Sequence, residues 1–251
     1  MIEVRHLYKS FGSQPVLEDL SFAIEQGEAV VIIGRSGGGK SVLLKHLIGL
    51  LQPDAGEVLV AGEDITQMNE RALLRVRHRF GMVFQGAALF DSMTVFDNVA
   101  FPLRRERRWT AAEIEHKVAT ALETVDLAGT QPKKPAELSG GMRKRVGLAR
   151  AIVYEPEILL YDEPTTGLDP IVSDSIDRLI ICVTERLHVT SVVVTHDMRS
   201  ARRVGRRLIM LHAGKIQANG TPEEVFHSPD PVVQQFVQGI ADERCAELTK
   251  P

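Results

Sequence analysis

The chain has 251 residues, of which 44% are hydrophobic and 25% are charged, as is ordinary for a soluble globular protein. The formal net charge of −3 argues against a general nucleic-acid binder. The start lacks the charged-then-apolar pattern of a secretory signal, and no uninterrupted apolar stretch approaches the ~18 residues of a membrane span. We therefore expect a cytoplasmic chain that does not cross a membrane.

Cysteines and basic clusters point to no particular chemistry. Cys182 and Cys245 give neither a metal-binding spacing nor a disulfide framework, and we interpret both as reduced thiols. Arginines cluster at residues 104–108 and 199–207. A solvated helix face is the simpler interpretation of these clusters, and a surface that docks a partner or an anionic lipid is the alternative.

The first predicted elements are two strands within residues 2–27. Apolar residues alternate with polar ones there, and Gly12 and Ser13 mark a turn between the strands. This pattern predicts an antiparallel β layer at the start of the chain.

A short apolar run at residues 29–33 predicts a buried parallel strand that leads into the sequence GRSGGGKS at residues 34–41. A helix is predicted next, over residues 41–51. Strand, glycine loop and helix in this order are the context of the GxxxxGK[ST] pattern, in which backbone N–H groups wrap a phosphate. We expect Lys40 to reach the outer phosphates of a nucleotide and Ser41 to offer a hydroxyl to Mg²⁺. The residues predicted to bind nucleotide here are Gly34, Arg35, Ser36, Gly37, Gly38, Gly39, Lys40, Ser41 and Val42.

Polar side chains follow further predicted strands. Asp162 and Glu163 follow the apolar residues 158–161, His196 follows residues 191–195, and Gln85 follows residues 82–83. Since ligands of open parallel sheets lie beyond the carboxyl ends of the strands, we expect these groups at one edge with Lys40. Asp162 is suited to hold Mg²⁺ and Glu163 to polarise the attacking water.

For His196 and Gln85 the sequence leaves more than one role open. His196 either contacts the γ-phosphate or orients Glu163, and a satisfied core histidine is the other interpretation. The amide of Gln85 could approach Mg²⁺ and the attacking water. Its spacing alone favours the alternative of an ordinary loop glutamine with no role in the site.

A helical stretch lies between the sheet-forming halves, near residues 86–155. Apolar residues recur at helical spacing over residues 114–125, and Ser139 can cap a helix that runs to about residue 153. Ser139, Gly140 and Gly141 offer a hydroxyl and backbone amides at the start of that helix, where an anion can bind.

The last part of the chain predicts a helix over residues 172–187 and a hairpin around Ala213 and Gly214. Thr221 begins a capping box, and a final amphipathic helix presents Val233 and Phe236 on one face.

The motifs together resemble the nucleotide-binding subunit of an ABC transporter, and the similarity covers nearly the whole chain. They are GRSGGGKS at residues 34–41, Gln85, LSGGM at residues 138–142, ILLYDE at residues 158–163, Asp169 in GLD, and His196. The resemblance implies an α/β fold with a P-loop NTPase, RecA-like core, an antiparallel β subdomain and an inserted α-helical subdomain. We expect the core and β subdomain at residues 1–85 and 156–220, the helical subdomain at 86–155 and a helical tail at 221–251.

The resemblance also implies an ATPase that uses ATP and Mg²⁺, with roles for individual residues. Phe11 would stack on adenine, and Gln85 would sense the membrane subunit. Glu163 would be the catalytic base, Asp169 an inter-subunit contact and His196 the switch histidine. In the family the LSGG segment closes on the nucleotide of the opposite subunit, which implies a homodimer with ATP at the interface, bound to integral-membrane permease subunits.

A narrower resemblance is to the ATPases of Mla-type phospholipid transporters. It rests on residues 84–99, on Met142 in place of the common glutamine, and on residues 235–242. It implies transport of phospholipid between the inner and outer membranes, an MCE-domain lipid-carrying partner, and a place on the cytoplasmic face of the bacterial inner membrane. The tail either reaches the second subunit or folds onto its own chain. An ABC-type ATPase of another export, lipoprotein-release or non-transport system on DNA or ribosomes is the alternative function.

Overall fold

The computed structural model describes residues 1–240, which form two β-sheets with helices packed around them. The strands are β1 (Ile2–Phe11), β2 (Gln14–Ile24), β3 (Ala29–Gly34), β4 (Ala55–Val60), β5 (Glu63–Asp64), β6 (Phe80–Val83), β7 (Ile158–Asp162), β8 (Thr190–Thr195), β9 (Arg207–His212) and β10 (Lys215–Gly220). The helices are α1 (Lys40–Leu47), α2 (Glu70–Arg77), α3 (Val95–Glu106), α4 (Ala111–Thr124), α5 (Gly140–Ile152), α6 (Pro170–Leu187), α7 (Met198–Val204), α8 (Pro222–Phe226) and α9 (Pro231–Val237).

The smaller sheet is antiparallel, with the strand order β2-β1-β4-β5. Gly12 turns the chain between β1 and β2 at a φ of 60°. The predicted antiparallel layer at the start of the chain is therefore present, and β4 and β5 extend it.

The larger sheet has six strands in the order β10-β9-β3-β8-β7-β6. Its strands pair in parallel except for β10, which forms the predicted hairpin with β9. Every residue of β3 and β8 is buried, as their apolar sequences predict.

The sheet separates two apolar clusters because side chains of a strand alternate between its faces. Val31 and Ile33 face a cluster that includes the helical region, whereas Val30 and Ile32 face the cluster beneath the smaller sheet. Both faces of the strand that precedes the glycine loop are thus packed, which fixes the start of that loop.

Helices α3, α4 and α5 lie between β6 and β7 in the chain. Ser139 caps α5 as predicted, and Thr110 begins a capping box at the start of α4. The expected helical insertion is present here, while the boundaries given for the domains stay a prediction.

Helix α1 is shorter than the prediction of residues 41–51. It ends at Leu47 because Gly49 adopts a φ of 63°, in the left-handed region that ends helices, and Leu50 is exposed. The apolar pattern continued past the point at which the backbone turns away.

The C-terminal helix α9 packs onto its own chain. Val233 is fully buried, and Phe236 and Val237 pack against the same cluster. The predicted tail includes residues 241–251, among them Cys245, and these lie outside the described residues. Within residues 1–240, no helix combines the length and the apolar character that a membrane crossing requires.

Candidate nucleotide-binding site

Four loops of the larger sheet bring several of the predicted site residues to one edge. The glycine loop follows β3, Gln85 follows β6, Glu163 follows β7 and His196 follows β8. Strands β3, β8, β7 and β6 are neighbours in the sheet, so their carboxyl ends are adjacent. The predicted convergence on one edge is found.

The glycine loop depends on conformations that a side chain would disturb. Gly34 has a φ of 154°, and a Cβ there would lie 2.5 Å from the carbonyl oxygen of Leu211. Gly39, at a φ of 91°, begins α1 and lies against Val16 and Leu17 of β2. Between them, residues 35–37 are exposed, which leaves their backbone N–H groups accessible to a phosphate.

Lys40 is buried, and its ammonium lies within the loop. Nζ donates hydrogen bonds to the carbonyl oxygens of Gly34, at 2.7 Å, and Arg35, at 3.0 Å. Burial lowers the pKa of Lys40, and the nearby carboxylates of Glu163 and Asp162 oppose that shift. The loop thus holds a cation at the point where phosphate oxygens are expected.

Ser41 and Asp162, the two residues predicted to bind Mg²⁺ through oxygen atoms, lie next to each other. The Ser41 hydroxyl donates to Oδ1 of Asp162 at 3.4 Å. Burial raises the pKa of Asp162, while the hydrogen bond from Ser41 and the charge of Lys40 act against that rise. A hydroxyl next to a carboxylate is a donor set of hard oxygens that suits Mg²⁺.

Glu163 is held firmly at the end of β7. Its Oε2 lies 2.8 Å from Nδ1 of His196 and accepts a hydrogen bond from the Thr166 hydroxyl at 3.1 Å. Its backbone N–H donates to the carbonyl of Val194 at 2.9 Å, and its φ of 50° is unusual for a residue other than glycine. The arrangement fits the interpretation of His196 as a group that orients Glu163.

The LSGG segment lies beside the start of α6. Ser139 accepts a hydrogen bond from the N–H of Met142 at 3.3 Å, and a Cβ on Gly141 would lie 2.6 Å from Val172. Asp169 caps α6, because its Oδ1 accepts from the N–H groups of Ile171 and Val172 at 2.9 and 3.0 Å. Within residues 1–240, no hydrogen bond joins residues 139–142 to the glycine loop. The inter-subunit role of Asp169 stays a prediction.

Two further predicted residues, Phe11 and Gln85, are also exposed. Phe11 has 51% of its surface exposed at the end of β1, and the ammonium of Lys9 lies 5.7 Å from its ring centre. The Gln85 side chain is exposed and makes no hydrogen bond to the described residues, although its backbone carbonyl accepts one from Lys144. Their roles at adenine and at the metal stay predictions.

Lys144, which donates the hydrogen bond to the Gln85 carbonyl, was not predicted from the sequence to be part of the site. It is 7% exposed and shares the buried face of α5 with Gly141 and Leu148. A lysine at a position where helical spacing predicts an apolar residue is the signal that could have identified it.

A P-loop ATPase is the class of protein that this fold and site define. The chain belongs to the ABC transporter family, whose model matches residues 17–166. Its fold class and its ATP hydrolysis, expected from the sequence, are thereby confirmed.

Curated proteins similar to this chain come from several organisms. The probable ribonucleotide transport ATP-binding protein mkl of Mycobacterium leprae is 44% identical over 238 residues, which cover 95% of this chain and 69% of that protein. The mkl protein of Mycobacterium tuberculosis has the same identity, and the match covers 66% of its length. The intermembrane phospholipid transport system ATP-binding protein MlaF of Haemophilus influenzae is 40% identical over 242 residues, which cover 96% of this chain and 92% of that protein.

Solved structures of ATP-binding cassettes share the fold. One is a dimeric cassette in a post-hydrolysis state, bound to ADP and Pi. It is 32% identical with a TM-score of 0.80, and the match covers 88% of this chain and 99% of the cassette chain. The cbiO1 subunit from Clostridium perfringens is 28% identical with a TM-score of 0.85, and the match covers 98% of this chain and 97% of the cbiO1 chain.

Proposed function

We propose that this chain is the ATPase subunit that drives phospholipid transport between two membranes. The observation that carries the proposal is the match to MlaF of Escherichia coli, a phospholipid transport protein, at 40% identity over 96% of this chain and 90% of MlaF. The mkl proteins, described as probable ribonucleotide transporters, are 44% identical, but the chain spans only about two thirds of their length. Because the match leaves about a third of each mkl protein uncovered, ribonucleotide transport is the second candidate function.

The site supports a division of roles in ATP hydrolysis. Lys40 and the N–H groups of the glycine loop bind the phosphates, and Ser41 and Asp162 would hold Mg²⁺, which would neutralise charge on the phosphates. Glu163 accepts a proton from the attacking water through Oε1, which has no hydrogen-bond partner among residues 1–240, and His196 orients Glu163. Phe11 stacks on the adenine.

Two copies of the chain form the complete sites. Ser139 caps a helix that lies next to α6 of the same chain, and it makes no hydrogen bond to the glycine loop of that chain. The hydroxyl of Ser139 and the backbone amides at the start of this helix would therefore meet the nucleotide of a second copy. A solved cassette with 32% identity is a dimer. We propose a homodimer with ATP between the glycine loop of one copy and the LSGG segment of the other.

A groove next to the Gln85 loop is the proposed contact with a membrane permease. It has a volume of about 450 Å³ and is lined by Leu74, Phe101 and Tyr154, among others. The ring of Phe101 lies 4.9 Å from that of Phe90, which connects the groove to the loop after Gln85. Leu74 and Phe90 are 56% and 42% exposed, as suits a surface that another subunit covers. The complex would lie on the cytoplasmic face of the bacterial inner membrane, with an MCE-domain protein as a further partner.

Purification of the tagged chain from membranes of its host tests the proposal. We expect a multi-span permease and an MCE-domain protein to co-purify, and phospholipid to appear in solvent extracts of the complex. In vesicles, ATP should accelerate transfer of labelled phospholipid, and Glu163→Gln should abolish that acceleration while ATP accumulates in a locked dimer.

Two outcomes would contradict the proposal. One is phospholipid transfer at the same rate with the wild type and with Glu163→Gln. The other is ATPase stimulation by ribonucleotides with no response to phospholipid, which would favour the function named for the mkl relatives.

A further inference from the structure

Helix α5 holds the Gln85 loop through the buried side chain of Lys144 and the half-buried side chain of Arg150. Lys144 Nζ donates a hydrogen bond to the backbone carbonyl of Gln85. Six residues further on, Arg150 donates to the carbonyls of Ala88 and Ala87 at 2.6 and 2.7 Å. Ala87 and Ala88 have φ angles of 60° and 47°, in the left-handed region that alanine rarely adopts. The loop is therefore kept in a strained conformation by the same helix that Ser139 caps.

The ammonium of Lys144 also reaches the site of hydrolysis. Nζ lies 3.4 Å from the backbone carbonyl oxygen of Glu163, within hydrogen-bonding distance. A single buried donor thus joins the carbonyl of Gln85 to that of Glu163. Burial lowers the pKa of Lys144, whereas the charges of Glu163 and Asp162 raise it, so the ammonium is electrostatically linked to both acidic residues.

The direction of the Glu163 carboxylate depends on its backbone. With a φ of 50°, Glu163 is in a conformation that persists only where its surroundings hold it. The N–H is held by Val194 on β8, and the carbonyl is held by Lys144 on α5. Removal of Lys144 would leave the carbonyl side of this residue unsupported.

We propose that Lys144 is a positioning residue that fixes Glu163 for water activation and ties it to the Gln85 loop. The inference rests on the proposed role of Glu163 as the base. The Lys144 side chain makes no hydrogen bond to the glycine loop or to the Ser41–Asp162 pair, so its loss should affect turnover and spare ATP binding.

Steady-state ATPase kinetics of the full-length chain test this. Lys144→Met keeps the length of the side chain and removes its charge and its hydrogen bonds, and we expect kcat to fall about 10- to 100-fold, the range for misplacement of a reacting group. The KM for ATP and the affinity for a fluorescent ATP analogue should change by less than about threefold, because the glycine loop is intact. Lys144→Gln keeps an N–H donor and should recover a large part of kcat.

Lys133→Met is the matched control, since Lys133 is exposed and its side chain makes no hydrogen bond within residues 1–240. It should have the kcat of the wild type. Wild-type turnover in Lys144→Met would overturn the proposal, as would a joint loss of kcat, ATP affinity and melting temperature that Lys144→Gln fails to recover. Continued turnover in Glu163→Gln would instead refute the assignment of the base, so the two failures are distinguishable.

Discussion

Replacement of Asp177 by asparagine is expected to stabilise the protein most at neutral and alkaline pH. Asp177 lies on α6 and is 3% exposed. Its Oδ2 accepts a hydrogen bond from the Ser200 hydroxyl at 2.9 Å, whereas Oδ1 is buried without a partner among residues 1–240. Burial raises the pKa of Asp177 from 3.8 to about 6, with the hydrogen bond from Ser200 opposing the shift and the charge of Asp197 adding to it.

The magnitude follows from this shift. The folded-state pKa is raised, so the contribution of this group to stability is greatest below pH 3.8 and is lost as the pH rises through about 6. At about 1.36 kcal/mol per pKa unit, the buried charge lowers the free energy of unfolding by about 3 kcal/mol at pH 8 and by about 1.6 kcal/mol at pH 5. Asparagine does not titrate and keeps an oxygen for Ser200. An unpaired amide hydrogen would reduce the gain equally at both pH values, so the difference of about 1.4 kcal/mol between them is the quantity to measure.

Urea unfolding followed by circular dichroism at pH 5 and pH 8 is the assay. Asp177→Asn should gain more over the wild type at pH 8 than at pH 5. Asp91→Asn is the matched control, because Asp91 is exposed and its side chain makes no hydrogen bond or ion pair among the described residues, and its effect should stay below about 0.5 kcal/mol. An equal gain at both pH values, or a larger gain at pH 5, would refute the reasoning.

Two further predictions concern the glycine loop and the C-terminal helix. Lys40→Ala should weaken ATP binding about 10- to 100-fold, since charge-assisted hydrogen bonds contribute about 1.5–3 kcal/mol, and an unchanged affinity by calorimetry would contradict the assignment of the loop. Val233→Ala should lower the free energy of unfolding of the dilute chain by about 2 kcal/mol, because Val233 is fully buried, while Val232→Ala, at a half-buried position, should lower it less. Equal stability of Val233→Ala and the wild type would show that α9 does not pack on its own chain in solution.

The edge that carries the site could be predicted from the sequence because two simple rules agree there. Apolar runs such as residues 158–161 indicate buried strands, and parallel strands deliver the residues after their carboxyl ends to one place. Asp162, Glu163, His196 and Lys40 all follow this rule. The sequence left three interpretations of His196 open, and its distance of 2.8 Å from Glu163 comes from the fold alone.

Other features depend on contacts that the local sequence does not encode. Lys144 and Gln85 are 59 residues apart in the chain, so their hydrogen bond could not be inferred from helical spacing. Helix α3 contains Pro102, which disfavours a helix interior, yet α3 forms because Val99 and Leu103 are fully buried against the core. Asp169 caps a helix, a local role that its motif did not predict.

The separation of Ser139 from its own glycine loop has a genetic consequence for mixed dimers. In the proposed dimer, a chain with Lys40→Ala paired with a chain that has a disabled Ser139 keeps one intact site, because both defects fall in the same composite ATP site. The same two substitutions placed in one chain and paired with a wild-type chain disable both sites. Complementation between alleles, rather than the number of substitutions, would then decide whether a cell retains transport.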